Sequence, residues 1–272
     1  MQDIQLYNGD CLDIMKNFKN QSVHMVLCDL PYGTSDSSWD KIINFEELWK
    51  EYERIIHPQG SVVLFAGGIF TAKLINSNID FYKYKYVWIK SVPTFFAHAK
   101  NRPLAKYEDI LIFSHASMGH INLLGNKRMF YNPQGLIPYN KVVNGTRKFK
   151  NDGYITPRKS HKEEYIQEFT NYPTDILEGF PEPQRNKKLH PNEKPISLLE
   201  RLILTYTDEG HTVLDNCMGS GSTGVAAKNL KRRFIGIELE KKYFEIAEKR
   251  INGEIAYKKI EEPEQNYKLP GF

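Results

Sequence analysis

Three apolar runs in this 272-residue chain each end at a carboxylate, and that repetition constrains the fold more than any other feature. Ser22-Val23-His24-Met25-Val26-Leu27-Cys28 leads into Asp29, Thr212-Val213-Leu214 ends at Asp215, and Phe234-Ile235-Gly236-Ile237 ends at Glu238. Short, almost uninterrupted apolar runs bounded by polar residues suit strands buried on both faces, as in a parallel sheet covered by helices. In open α/β sheets ligands bind at the carboxyl ends of the strands, which is where these acids lie.

The residues after each acid carry chemistry. Pro31 fixes its own φ and pushes Leu30 toward extended geometry, which leaves the Leu30 carbonyl free to point into a pocket. Asp29 and that carbonyl can together accept two N–H bonds from one amino group, with the Tyr32 ring beside them. The same residues also fit an ordinary strand exit, with a capping Asp and a Tyr over the sheet edge. Asp215 is followed by Asn216-Cys217-Met218-Gly219-Ser220-Gly221-Ser222-Thr223-Gly224 and a helical stretch from Val225 to Lys231. Glycines at a strand-to-helix turn admit a ligand close to the backbone, and the helix start offers unpaired N–H groups. Glu238 follows at about the spacing of a ribose-binding carboxylate. A P-loop requires Gly-Lys before its Ser/Thr, and the absence of that lysine argues against triphosphate binding. The plainer reading is a glycine turn with no cofactor.

These residues resemble the amino-group DNA methyltransferases that use S-adenosylmethionine. The D-P-P-Y tetrad of that family has its counterpart in Asp29-Leu30-Pro31-Tyr32, and its F-x-G-x-G loop in Cys217-Met218-Gly219-Ser220-Gly221. His190-Pro191-Asn192-Glu193-Lys194-Pro195 is similar to the segment before the helix that abuts the methionine end of the cofactor. The resemblance covers roughly residues 1–117 and 190–252. The catalytic motif precedes the cofactor loop, which is the permuted order of the β group, and Ile4 to Asp10 then takes the place of the adenine-contacting strand.

The resemblance implies an α/β fold: a Rossmann-like methyltransferase sheet, mostly parallel with an antiparallel edge hairpin, circularly permuted. It implies a catalytic and cofactor-binding domain at 1–117 and 190–272, with an inserted target-recognition region at 118–189. Carried over, the catalytic residues are Asp29, Leu30, Pro31 and Tyr32. Cofactor contacts are Asp10, Cys11, Asp29, Lys194, Asp215, Cys217, Gly219, Gly221, Ser222 and Glu238. Of these, Asp215 orients the loop or the methionine amine, Glu238 the ribose hydroxyls and Asp10 the adenine. Two positions depart from the family. Leu30 replaces a Pro, at little cost if that position works through its carbonyl, and Cys217 replaces a Phe that packs on the cofactor, so that either cofactor affinity is weaker or another ring, such as Phe234 or Tyr7, compensates.

Charge supports a polyanionic partner. The net charge is +4, yet residues 126–162 hold nine Lys/Arg against the single acid Asp152, a net +8 that leaves −4 for the rest. Phe130, Tyr131, Tyr139, Phe149 and Tyr154 are interleaved with those cations, together with Asn132, Gln134, Asn140 and Asn144. These residue types grip phosphates and stack on or read bases. A solvated insertion is the alternative, but its position between the two cofactor-fold halves matches the target-recognition region of the β group. Arg147, Lys148, Lys150, Arg158 and Lys159 are therefore expected on double-stranded DNA. Lys100 and Arg102 join them from a basic, aromatic loop that starts Pro93-Thr94-Phe95-Phe96.

The rest of the chain supplies scaffold: helices over Leu12 to Phe18, Phe45 to Ile56 (ended by His57-Pro58-Gln59-Gly60), Gly68 to Asn76, Ile196 to Thr207 and Lys241 to Ile251. Ser61 to Ala66 is a strand, and Tyr84 to Ile89 with Asp109 to Ser114 is an antiparallel edge pair. Cys11, Cys28 and Cys217 have no paired spacing, so neither a zinc site nor a disulfide is expected, and no metal is needed. No run is long enough to span a membrane and no leader precedes the first strand, which points to a cytoplasmic protein.

The implied chemistry is methylation of an exocyclic amine, whose lone pair is delocalised into the base ring until Asp29 and the Leu30 carbonyl localise it. The base must leave the duplex, with Tyr32 as its stacking ring. A tetrad that begins with Asp favours adenine N6. Cytosine N4, an RNA or protein amide, and a non-catalytic DNA-binding role are the alternatives. A homodimer and a cognate restriction endonuclease are further partners that the resemblance implies.

Overall fold

In the computed structural model the acid-terminated runs are neighbouring strands of one sheet; the structure describes residues 3–34, 40–119, 124–144, 164–183 and 188–255. In chain order its elements are β1 (Ile4–Asn8), α1 (Cys11–Met15), β2 (Val23–Cys28), α2 (Phe45–Ile55), β3 (Ile56–Ala66), α3 (Ile69–Ser77), β4 (Tyr82–Thr94) and β5 (Ala105–Phe113). They continue as β6 (Ile137–Asn144), β7 (Glu164–Thr170), β8 (Ile176–Leu177), α4 (Ile196–Tyr206), β9 (Thr212–Asp215), α5 (Ser222–Asn229), β10 (Arg233–Glu238) and α6 (Lys241–Asn252).

Eight strands pair in the order β1-β10-β9-β2-β3-β5-β4-β8, with β1 through β3 parallel and β5 antiparallel to both β3 and β4. The N-terminal strand β1 runs beside β10 from Ile4↔Phe234 to Asn8↔Glu238, so the sheet is closed from two ends of the chain. β2 shows why its run is apolar except at His24. Met25 and Leu27 pack with α4, α5 and α6 on one face, whereas Val26 and Cys28 pack with α1, α2 and α3 on the other. Successive side chains of a strand point to opposite faces, so a strand covered on both is apolar along its central positions.

Several boundaries differ from the sequence-based expectation. The hairpin β4–β5 is not the outermost edge, because the two residues of β8 pair in parallel with Val87 and Trp88 of β4. His57-Pro58-Gln59-Gly60 belongs to β3, which starts directly after α2, where the proline and glycine had suggested a turn. α1 ends at Met15, short of Phe18, and α5 begins at Ser222, three residues before Val225. Pro93 and Thr94 extend β4, and Phe96–His98 forms a turn of 3-10 helix.

By contacts the chain divides into one unit of residues 1–132 with 175–272 and a second, Pro133–Thr174. The second unit is built on the antiparallel pair β6–β7, with a register shift between Pro138 and Lys141 next to Asn140, whose φ is +47°. Asn171, at φ +59°, donates from Nδ2 to the Gly135 carbonyl at 2.7 Å. The Lys141 amino group lies 4.9 Å from the centre of the Tyr139 ring. Arg147, Lys148, Lys150, Arg158 and Lys159 lie outside the described residues.

Candidate active site

Asp29 leaves the carboxyl end of β2 with both oxygens engaged. Oδ1 accepts the Tyr32 hydroxyl at 3.0 Å and Oδ2 accepts the Lys194 amino group at 2.6 Å. Lys194 also lies 3.2 Å from Glu108 Oε2, and the other Glu108 oxygen pairs with Lys90. Alternating charges therefore run Lys90, Glu108, Lys194, Asp29 from the edge hairpin into the site. Burial pushes the Asp29 carboxyl above its usual range, partly offset by Lys194. Burial would do the same to Glu108, but Lys194 and Lys90 together hold it below. Lys194 is held protonated by its two carboxylates although burial opposes this.

The rest of the tetrad is packed rather than open. The Leu30 side chain is buried in the core on the α1–α3 face, so an apolar residue fits where the family has Pro. The Tyr32 ring stacks on Phe70, centroids 4.5 Å apart and 18° from parallel. The turn after it is pinned by buried Asp40, whose oxygens accept the Gly33 and Thr34 N–H groups at 2.9 and 2.8 Å.

The glycine turn is held by the other two acids. Asp215 Oδ1 accepts the Cys217 N–H at 3.1 Å. Glu238 Oε2 accepts the Gly219 N–H at 2.8 Å and Oε1 the Glu240 N–H at 2.9 Å. Gly219 and Gly221 have φ of +51° and +80°, a region side chains disfavour. At Gly221 a Cβ would sit 2.9 Å from the Ala247 Cβ, so that glycine admits α6 against the start of α5 and does not line the cavity.

Arg250 and Glu193 carry a tie that sequence reasoning missed. Arg250 Nη2 donates to Glu193 Oε1 at 2.5 Å, and Nη1 donates to the Ser220 carbonyl, Ser220 Oγ and Ser222 Oγ at 3.1–3.2 Å. Both residues are buried. They fasten the His190–Pro195 segment to the glycine turn. The signal available was an arginine on the buried stripe of α6, beside Ala247 and Ile251 at helical spacing. Glu108 and Lys90 were missed too, on the exposed-looking alternation of a hairpin.

These groups surround a cavity of about 400 Å³. Asp10, Cys11, Asp29, Lys194, Asp215, Cys217, Gly219, Ser222 and Glu238 line it, as does Pro31. Leu30 and Tyr32 do not, and Lys100 and Arg102 are exposed on the hairpin tip. Neither ring expected to replace the family's Phe reaches the cavity. Phe234 is fully buried beneath Gly224 and Gly236, and Tyr7 packs near Phe18 at 5.9 Å. Phe65 and Tyr243 line it instead, the latter edge-on to His190 at 4.4 Å. Cys11 and Cys217 line the cavity, where Asn216 Nδ2 lies 3.6 Å from both Sγ atoms, and the buried Cys28 thiol interacts with Cys217. Burial pushes the Cys28 thiol up to about 12. Among the described residues no group of three or more His, Cys, Asp or Glu is arranged to hold a metal ion, and no helix is long and apolar enough to cross a membrane.

The lining chemistry fits S-adenosylmethionine. Five carboxylates line the cavity, Asp10, Asp29, Asp215, Glu238 and the Arg250-paired Glu193, a lining suited to a cationic and hydroxyl-rich ligand, and Phe65, Leu199 and Met218 supply apolar wall. Residues 23–249 match the sequence model of the N6/N4 family described as DNA methylase. The type II methyltransferase M2.DpnII of Streptococcus pneumoniae is 29% identical over 283 residues, covering 92% of this chain and 90% of its own. M.HinfI of Haemophilus influenzae is 27% identical over 281 residues, covering 90% and 67%. Among solved structures, the M1.HpyAVI complex with SAM aligns with a TM-score of 0.59 at 27% identity, covering 92% of this chain and 99% of that one. The cytosine-N4-specific PvuII DNA methyltransferase aligns with a TM-score of 0.61 at 15% identity, covering 93% and 94%, a likeness of fold.

Proposed function

The chain belongs to the S-adenosylmethionine-dependent N6/N4 DNA methyltransferase family, and from that premise we propose that it methylates the N6 amine of adenine in duplex DNA, within a recognised sequence. The observation that carries this reading is the position of Asp29 at the cavity, fixed by Tyr32 on one oxygen and Lys194 on the other.

The bound cofactor supplies an electrophilic methyl on a sulfonium. Asp10, Asp215 and Glu238 hold it, Glu238 through lone pairs left after fixing Gly219 and Glu240. Asp29 and the Leu30 carbonyl accept the N–H bonds of the target amine and turn its lone pair out of conjugation. Lys194 opposes the burial that raises the Asp29 carboxyl. These acceptors are preorganised, so the rate comes from orientation and electrostatics. The target base leaves the duplex to reach them, and Tyr32, backed by Phe70, is the ring it meets. In this reading the segment 118–189, with Arg147, Lys148, Lys150, Arg158 and Lys159, supplies phosphate contacts and target recognition.

Transfer of labelled methyl from S-adenosylmethionine to mixed-sequence duplex DNA, followed by nucleoside digestion, tests this directly. N6-methyladenine is the expected product. N4-methylcytosine would reassign the base, and no labelled nucleoside with DNA and cofactor both bound would overturn the enzymatic reading.

Burial pushes Asp215 up to about 7, against hydrogen bonds from Thr223 and Cys217 that lower it. A carboxyl raised on folding stabilises the free protein below its unfolded value of about 4, and that contribution is lost as pH rises through about 7. The ionised form is the one that attracts a cation. S-Adenosylmethionine should therefore bind more tightly as pH rises through the Asp215 titration near 7, with release of a proton. Calorimetry in buffers of different ionisation enthalpy should detect that proton, and Asp215→Asn should abolish it.

A further inference from the structure

The edge hairpin outruns the sheet. Ala66, the last residue of β3, pairs with Asp109, yet the β4–β5 ladder continues to Thr94↔Ala105. Those four further residues carry the hairpin about 13 Å past the carboxyl edge of β3. The base of this arm is fastened to the active site through the Lys90–Glu108–Lys194–Asp29 charge chain, and the Ser91 N–H donates to Glu182 Oε2 at 3.0 Å.

The tip is built unlike the base. Phe95 and Phe96 are 52% and 61% exposed, and Val92 is 59% exposed. Phe95 holds φ +68° and ψ +34°, a left-handed conformation uncommon for a bulky side chain. Backbone strain of this kind concentrates at functional positions. The Arg102 guanidinium lies 4.9 Å from the Phe95 ring centre, and the His98 N–H donates to the Phe95 carbonyl at 2.9 Å. No acid occurs between Ser91 and Tyr107, a stretch that carries Lys100, Arg102 and Lys106. Two exposed rings on a fixed turn, one of them under the Arg102 guanidinium, in a stretch whose formal charges are all positive, suit a partner that is both polyanionic and able to take an aromatic ring between its own stacked rings.

We propose that the β4–β5 arm is a wedge: Phe95 and Phe96 enter the duplex beside the target nucleotide and fill the space it leaves, while Lys100 and Arg102 bind the flanking phosphates. Side chains that enter base steps in this way offset part of the unstacking cost. The inference rests on the DNA methyltransferase reading and adds to it the element that opens the stack.

Methyl transfer by the full chain to native plasmid DNA and to the same DNA heat-denatured tests it, comparing wild type, Phe95→Ala/Phe96→Ala and Phe95→Leu/Phe96→Leu. The Ala pair should lower kcat on native DNA by about tenfold or more, equivalent to roughly 1.4 kcal/mol, with little loss on denatured DNA. The Leu pair should retain most activity, and both variants should melt as wild type because the rings are exposed. An equal loss on both substrates, or none on native DNA, would overturn the wedge. So would full activity with an altered oligomeric state, which would make the tip a subunit contact. If wild type acts on duplex alone, a defect confined to KM overturns the proposal and a defect in kcat supports it. Absence of transfer by wild type to any DNA would instead remove the underlying methyltransferase reading.

Discussion

Asp29→Asn should slow methyl transfer to duplex DNA by about 10²–10³-fold, the usual loss when one preorganised polar group of an active site is removed. The amide keeps the shape of the side chain but loses the charge and one acceptor oxygen. Tyr32 and Lys194 would still find a partner at one position, while Lys194 would be left with Glu108 as its only carboxylate. Asp10, Asp215 and Glu238 remain in the cavity, so the dissociation constant for S-adenosylmethionine should change little. Single-turnover rates with a parallel cofactor titration separate the two effects. Turnover at the wild-type rate would refute lone-pair localisation by Asp29, and a large loss of cofactor affinity would move its role from the amine to the cofactor.

Arg250→Met should destabilise the fold by about 3–5 kcal/mol, because it strands a buried carboxylate without its cation. Glu193 would keep only the Leu189 N–H at 2.9 Å, and the Ser220 and Ser222 oxygens would lose their common donor. For a unit of this size the melting temperature should fall by on the order of 10 °C. The loss should be accompanied by weaker cofactor binding, since the same guanidinium positions the glycine turn. Adding Glu193→Gln to Arg250→Met should recover part of the stability, because the uncompensated charge is then gone. Thermal unfolding of the two variants, each with and without S-adenosylmethionine, provides the measurement; unchanged melting of the single variant would mean that Glu193 reaches water.

What was legible in the sequence is what local chemistry dictates. β2, β9 and β10 announce themselves because helices cover both faces and their central positions are apolar, so the acid at each end marks the edge of the sheet. The cavity acids follow from that. The Arg250–Glu193 pair was not legible, since 57 residues separate partners that only the packing of α6 brings together. Phe234 was misassigned for a related reason: it stands one strand beside the cofactor loop, but β-strand parity turns it into the core on the α4–α6 face. The two residues of β8 carry no signal of their own, because pairing with β4 alone makes them a strand. Similarly, Cys11, Cys28 and Cys217 show no sequence spacing, yet they converge because the strands they follow lie near one another.

The pairing of β1 with β10 sets a schedule for synthesis. Asn8 and Glu238 are 230 residues apart, so β1 waits while that length of chain is synthesised before its neighbour exists. At about 5–20 residues per second that wait lasts on the order of 10–50 s. Throughout it β2, with β3 already beside it, presents an open hydrophobic edge until β9 leaves the ribosome. The nascent chain should therefore be a chaperone client whose cofactor site is assembled in one late event, and a ribosome-stalled chain ending before β9 should fail to bind S-adenosylmethionine.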